Sequence, residues 1–191
     1  MAVGLCANFY TVTITDANNC ITVDTVTINT NGLNLTITNV IPESCFGACD
    51  GIAVVSVSAG TTPYTYQWNV TNPVQTTPTA TNLCVGTYTA VVTDSLNCAD
   101  SISATVTGPT QIVPSITITT PISCNGGTTG TANLTVSGGT PTYTYNWSNS
   151  VSTEDLSGLS ANTYTVTVTD NLGCTVTSSV VINEPTAVTA T

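Results

Sequence analysis

A motif that returns three times along the chain constrains the fold more than any other feature. Each copy runs through a tyrosine and alternating threonines to a final Thr-Asp, and the copies are residues 4–16, 83–94 and 158–170. Cys6, Cys84 and Ser160 occupy the same place in the three copies, which gives periods of 78 and 76 residues. Self-similarity at a fixed period predicts one structural unit per copy, so we expect several small domains in a row.

Alignment of the copies divides the chain into four parts. Residues 31–108 and 109–184 are two complete repeats, residues 1–30 are the C-terminal strands of an incomplete repeat, and residues 185–191 match the first strand of a following repeat. A two-stranded hairpin alone is marginal in water and leaves unpaired strand edges. Residues 1–30 therefore need either covalent neighbours in a longer polymeric chain, which we favour, or strands from another subunit.

Short stretches of alternating apolar and Thr or Ser residues, separated by Gly, Pro and Asn, predict β-strands and turns. In both complete repeats a Tyr-x-Tyr-x-Trp strand directs three aromatic rings to one face. A later tyrosine stands where an immunoglobulin sandwich has its tyrosine corner, although the antibody cysteine two residues further on is replaced by Val12, Ala90 and Val166. The predicted fold class is all-β, with tandem immunoglobulin-like β-sandwich repeats arranged head to tail.

The aromatic side chains of these strands form the predicted core of each repeat. They are Tyr64, Tyr66, Trp68, Tyr88, Tyr143, Tyr145, Trp147 and Tyr164. The alternative is an exposed stripe of rings on which sugars stack. We favour the core, because each repeat has a single tryptophan and buried aromatic rings supply much of the stability of a small domain.

The charge pattern excludes several classes of function. The chain has no Lys, Arg or His, and its ten acidic residues give a formal net charge of −10. Without cations it cannot neutralise phosphates, so nucleic acid and anionic membranes are poor partners. The lack of His and Lys also argues against an enzyme, and we assign no catalytic residue and no cofactor. No continuous apolar run is long enough for membrane insertion.

An aspartate recurs after each tyrosine strand, as Asp16, Asp94 and Asp170. A short carboxylate at this place most simply caps a hairpin turn by accepting backbone N–H bonds. Calcium between repeats is the alternative. We assign no metal ligand, because acidic residues are too sparse for the six to eight oxygens that calcium prefers.

Eight cysteines in a chain without histidine favour disulfides in an oxidising compartment over a metal centre. All eight are assigned to bridges: Cys6, Cys20, Cys45, Cys49, Cys84, Cys98, Cys124 and Cys174. The third copy replaces the positions of Cys49 and Cys84 together, by Thr128 and Ser160. This joint loss predicts a Cys49–Cys84 bond.

Two pairings remain open for the cysteines that both complete repeats keep. Cys45–Cys98 and Cys124–Cys174 would form within repeats if a long first loop folds back. Alternatively, stacking of successive repeats would place Cys45 of one repeat against Cys174 of the next.

Three motifs in fixed order, Ser-Cys-x-Gly, Thr-Pro-x-Tyr-Thr-Tyr-x-Trp and Gly-Thr-Tyr-Thr-x-x-Val-Thr-Asp-x-x-x-Cys, resemble the SprB repeat family. Those repeats occur in long surface adhesins of Bacteroidetes. The resemblance implies export by the type IX secretion system, display on the cell surface, and a role in adhesion, gliding motility or extracellular fibres. It also implies O-glycosylation at Asp-Ser/Thr-aliphatic sites, with Thr25, Ser95 and Ser101 as candidates.

The sequence thus predicts a non-enzymatic, extracellular structural protein that forms a stalk or filament of a bacterial surface adhesin or fibre. A carbohydrate-binding adhesive module and a fibre subunit joined by strand complementation are the alternatives. The expected partners are further copies of the repeat, in the same chain or in neighbouring subunits, with surface glycans as a second class.

Overall fold

The computed structural model of the chain describes residues 5–6, 8–28 and 32–189. These residues form β-strands joined by turns and loops, which confirms the predicted all-β fold class. The chain divides into two compact units. Unit 1 comprises Met1–Pro42 and Cys49–Thr107, and unit 2 comprises Glu43–Ala48 and Gly108–Thr191. The loop 43–48 lies inside the first complete repeat by sequence, yet it groups with unit 2.

Unit 1 contains a hairpin and a six-stranded sandwich. The hairpin pairs β1 (Asn8–Thr15) with β2 (Ile21–Ile28). One sheet has the order β3 (Leu35–Ile41), β4 (Gly51–Val57) and β6 (Thr79–Leu83). The other has the order β5 (Thr65–Trp68), β7 (Gly86–Thr93) and β8 (Ala99–Val106). Side chains from both sheets form one core: Ala53, Val55, Trp68, Ala80, Leu83, Ala90, Val92, Ala104 and Val106.

Unit 2 repeats this sandwich. One sheet has the order β12 (Leu156–Leu159), β10 (Gly130–Ser137) and β9 (Val113–Thr120). The other has the order β11 (Thr144–Trp147), β13 (Asn162–Thr169) and β14 (Thr175–Ile182). The core is again shared by the two sheets and is separate from that of unit 1: Ile112, Ile122, Ala132, Leu134, Trp147, Leu156, Leu159, Tyr164, Val166, Val168, Cys174 and Ile182.

Apolar and hydroxyl-bearing side chains alternate along the strands, so one face of each sheet is apolar and the other carries hydroxyl groups. In β13, Tyr164, Val166 and Val168 point into the core, and the threonines between them face outward. Neighbouring strands then pair their hydroxyls on the outer face, as Thr165 does with Ser179 at 2.8 Å between oxygens. Unit 1 has the same kind of pairs, Thr89 with Ser103 at 2.9 Å and Thr87 with Thr105 at 3.3 Å. The outer surface is therefore held by neutral hydroxyl pairs.

The β1–β2 hairpin has the register of the closing hairpins β7–β8 and β13–β14, but it keeps its apolar face in solvent. Val12 and Ile14 are 47% and 56% exposed. Their counterparts in β7, Ala90 and Val92, are fully buried. The hairpin thus pairs like the closing strands of the two sandwiches, and no second sheet covers its apolar face among the described residues.

Candidate functional site

Three disulfides connect the loops at the ends of the strands. They are Cys6–Cys98, Cys45–Cys174 and Cys49–Cys84, with Cα–Cα distances of 5.4, 5.6 and 3.8 Å. The Cys49–Cys84 bond is the one that the joint replacement in the third copy predicts. It joins the loop before β4 to the loop between β6 and β7.

The remaining cysteines do not pair within repeats. Cys45 bonds to Cys174, which follows the third copy of the tyrosine motif, and Cys98, which follows the second copy, bonds to Cys6 in the first copy. The alternative pairs Cys45–Cys98 and Cys124–Cys174 are therefore not formed. The loop 43–48 that carries Cys45 groups with unit 2, which brings Cys45 to the turn of Cys174.

Cys20 and Cys124 are exposed free thiols, so the assignment of these two cysteines to bridges is not met within this chain. Cys124 aligns with Cys45, and Cys20 aligns with Cys98 and Cys174.

The recurring aspartate organises each turn that carries such a cysteine. One oxygen of Asp170 accepts the backbone N–H groups of Leu172 and Cys174, both at 2.9 Å. Its other oxygen accepts the N–H of Thr140 from a neighbouring loop at 2.9 Å. The carboxylate therefore caps the turn.

Asp94 makes the same three bonds in unit 1, to Leu96, Cys98 and Thr61, at 2.9, 2.9 and 3.1 Å. Among the described residues, Asp16 accepts only the two bonds of the turn itself, from the backbone N–H groups of Asn18 and Cys20. In the two sandwiches the third donor comes from the loop that joins the two sheets, between β4 and β5 or between β10 and β11. The link from aspartate to this loop was not predicted, because it joins positions about 30 residues apart.

These hydrogen bonds lower the pKa of both aspartates in the complete repeats. For Asp170 the N–H of Thr140 is the strongest cause; burial opposes it, and the turn N–H groups add to it. For Asp94 burial is the largest single effect and would raise the pKa, but the N–H groups of Cys98, Thr61 and Leu96 together outweigh it. Backbone donors stabilise the ionised form, so both turns hold a carboxylate over a wide range of pH.

The two tryptophans lie inside their sandwiches. Trp68 and Trp147 are each 2% exposed. Each indole N–H donates a 3.0 Å bond to a backbone carbonyl, of Thr77 in unit 1 and of Thr153 in unit 2. A buried ring whose polar atom is satisfied packs as a core residue and offers no face to a ligand. The carbonyl partners lie in irregular loops, so they could not be predicted from sequence patterns.

The tyrosines divide into two groups. Tyr88 and Tyr164 donate their hydroxyls to the carbonyls of Cys84 and Ser160, four residues earlier, at 3.0 and 3.1 Å, as the tyrosine corner requires. Tyr10 makes the same bond to Cys6 at 3.0 Å. The tyrosines of the aromatic strands are half-buried at the core edge: Tyr64, Tyr66, Tyr143 and Tyr145.

The glycosylation candidates Thr25, Ser95 and Ser101 all lie on the surface. Thr25 is in β2, Ser101 is in β8, and Ser95 follows Asp94 in the turn. Among the described residues, no helix is both long and apolar enough to cross a lipid bilayer.

Comparison with known proteins identifies the repeating element. The sequence model of the SprB repeat matches residues 36–71 and 116–152. The chain contains two SprB repeats. Each SprB match begins in the first strand of a sandwich, β3 or β9, and ends just after the tryptophan strand, β5 or β11. SprB repeats are of the adhesin type and typically non-enzymatic.

Solved structures of tandem domains are similar to the chain at low identity. The N-terminal eight Ig domains of Down Syndrome Cell Adhesion Molecule match 93% of this chain and 27% of that chain, with 13% identity and a TM-score of 0.46. A C-terminal fragment of intimin, solved with the intimin-binding domain of its receptor Tir, matches 77% of this chain and 64% of that fragment, with 19% identity and a TM-score of 0.42. Three domains of the bacteriophage RB49 outer capsid protein Hoc match 79% of this chain and 57% of that chain, with 19% identity and a TM-score of 0.39. No curated protein sequence matches the chain.

Proposed function

We propose that the chain is a non-enzymatic structural segment of an extracellular stalk or filament, displayed at a bacterial surface as part of an adhesin or fibre. The burial of Trp68 and Trp147 is the observation that carries the proposal. Each SprB repeat uses its only tryptophan to close its own core. A domain whose tryptophan is buried in its own core is stiff and protects its backbone, because the ring stabilises the packing of the two sheets.

The disulfides support the same function. The Cys45–Cys174 bond runs from the loop of one sequence repeat to the turn of the next, across 129 residues of sequence. A bond of this kind resists extension of the chain, because pulling on the repeats loads a covalent link. Oxidised cysteines also fit an extracellular location.

The surface supports a load-bearing role over a catalytic one. With no Lys or Arg in the sequence, proteases that cut after basic residues find no site. The acidic side chains of the turns are engaged in capping, as Asp94 and Asp170 show. Further copies of the repeat are the proposed partners, and O-glycans at Thr25, Ser95 and Ser101 would shield the strands that carry them. Gliding motility and type IX secretion follow from the family and belong to this proposal.

Replacement of the tryptophans tests the function against the sugar-binding alternative. We expect Trp68→Ala and Trp147→Ala each to lower the free energy of unfolding of its own unit by about 3–5 kcal/mol, because a large buried ring is lost. Phe9→Ala is the matched control, since Phe9 is 60% exposed and its loss should change stability by less than about 0.5 kcal/mol. Thermal melting followed by circular dichroism measures both. Wild-type melting of the tryptophan variants together with lost glycan binding would replace the structural function by the adhesive one.

A further inference from the structure

The disulfides of the chain overlap along the sequence instead of following one another. The first bond, Cys6–Cys98, closes one covalent loop of the backbone. The second bond, Cys45–Cys174, begins inside that loop and ends beyond it. Every peptide bond between residues 6 and 174 therefore lies inside at least one covalent loop.

This overlap follows from the way the two units share the sequence. Unit 2 contains the loop 43–48, which stands in the sequence between the two parts of unit 1. The first bond joins two residues of unit 1, and the second bond joins two residues of unit 2. Because one end of the second bond is on the loop 43–48, this bond begins before the second part of unit 1, and the two bonds interlace.

The alternative pairing within repeats would lack this property. A Cys45–Cys98 bond and a Cys124–Cys174 bond would close two covalent loops one after the other. Residues 99–123 would lie outside both loops, so a single cut of the backbone there would separate the two repeats. Of the bonds that do form, the second spans this whole segment.

The number of bonds that span a cut changes along the chain. Of the three bonds, the first alone spans residues 6–45, the second alone spans residues 98–174, and both span the residues between. The third bond, Cys49–Cys84, also spans the irregular loop 69–78 between β5 and β6, which is mostly exposed. Exposed irregular loops are preferred sites of proteolytic nicking. A cut in this loop therefore leaves three covalent connections.

We propose that the overlapping disulfides keep the chain covalently continuous after a single cut of its backbone at any position between residues 6 and 174. The lack of Lys and Arg removes the sites of proteases that cut after basic residues, but seven tyrosines, two tryptophans and two phenylalanines remain as sites for proteases that cut after aromatic residues. The two fragments of a cut chain stay joined through sulfur, so a stalk built from these units would still transmit tension. The inference goes beyond the proposed structural function and does not depend on the buried tryptophans.

The absence of basic residues also makes the test specific, because one added lysine creates one trypsin site. Gly32→Lys places this site between β2 and β3, where a Cβ at residue 32 would meet no heavy atom within 4 Å. Thr107→Lys places it after β8, at an exposed residue that ends unit 1. The first bond spans the site at residue 32, and the second bond spans the site at residue 107.

In each variant the free thiols are alkylated, the chain is unfolded in urea with its disulfides intact, and trypsin is added. Alkylation prevents the thiols of Cys20 and Cys124 from exchanging with the bonds. Without reductant, we expect each cut variant to run as one species on a denaturing gel, with the mass of the uncut chain plus one water. With reductant, it should separate into fragments 1–32 and 33–191, or 1–107 and 108–191. Separate fragments without reductant would overturn the proposal.

Removal of one bond at a time shows which bond carries each connection. The double variants are Cys6→Ser/Cys98→Ser, Cys45→Ser/Cys174→Ser and Cys49→Ser/Cys84→Ser. Loss of the first bond should release the fragments of Gly32→Lys and leave those of Thr107→Lys joined, and loss of the second bond should do the reverse. Loss of the third bond is the matched control, since it spans neither site and should release neither pair of fragments.

Fragments that stay joined after loss of the spanning bond would show a different pairing and would also overturn the proposal. If a cysteine variant fails to fold, the two lysine variants with all eight cysteines still carry the test. None of these outcomes bears on the burial of Trp68 and Trp147, so the covalent network and the structural function can fail separately.

Discussion

The Cys49–Cys84 bond offers the sharpest test of how this small sandwich is stabilised. It closes a stretch with a sequence separation of 35 residues. On the chain-entropy estimate, closing a loop of that length lowers the entropy of the unfolded chain by an amount equivalent to about 3.8 kcal/mol of free energy at 25 °C. We therefore expect Cys49→Ser/Cys84→Ser to lower the free energy of unfolding of unit 1 by about 2–4 kcal/mol. Serine is preferred to the threonine of the other repeat, because Cys49 has a φ of 52° that suits a β-branched residue poorly.

The assay uses the single tryptophan of each repeat as a local probe. A Trp147→Phe background leaves Trp68 to report unit 1, and a Trp68→Phe background leaves Trp147 to report unit 2. Urea unfolding should then show the loss in unit 1 alone. Unit 2 has Thr128 and Ser160 at these positions and forms its sandwich without the bond, so the variant of unit 1 should still fold. A loss below about 1 kcal/mol, or an equal loss in both units, would refute the entropic account.

Two further predictions follow from the turns and the surface. The pKa values of Asp94 and Asp170 are lowered in the folded chain, so their contribution to stability is complete above the unfolded pKa of about 4 and is lost as the pH falls through the folded pKa values. Denaturant unfolding from pH 7 to 2 should show this decline in the free energy of unfolding, and Asp170→Asn should flatten it in unit 2. An unchanged decline in the variant would contradict the capping role. If Thr25, Ser95 and Ser101 carry O-glycans, the intact mass of native protein should exceed that of the bare polypeptide, and replacement of all three by Ala should remove the excess; a native mass equal to the polypeptide would eliminate these sites.

The repeat and its strands could be predicted from sequence because each depends on local patterns. The period places Tyr88 and Tyr164 at one position, and the alternation around them fixes which side faces the core. The fold class follows from the same signals. The joint replacement of two cysteines also carried enough information to pair Cys49 with Cys84, since both lie in one repeat.

Features that depend on how loops meet in space could not be read in the same way. Cys98 bonds to Cys6, the counterpart of Cys84, and no spacing rule distinguishes that partner from Cys45. The segment 43–48 joins unit 2 although sequence alignment places it in the first repeat. The third hydrogen bond of Asp170 comes from Thr140, which lies 30 residues earlier in the loop between β10 and β11 and leaves no trace in the sequence around Asp170.

The hydroxyl pairs on the outer faces of the sheets determine how the chain responds to salt. Threonine and serine oxygens, as in Thr165 and Ser179, meet across the strands without any charge for dissolved ions to screen. The chain has no basic side chain, so its side-chain charges can only repel one another. Ionic strength therefore acts on these charges in one direction. The free energy of unfolding should be lowest at low ionic strength, where the repulsion is unscreened, and should rise as salt is added.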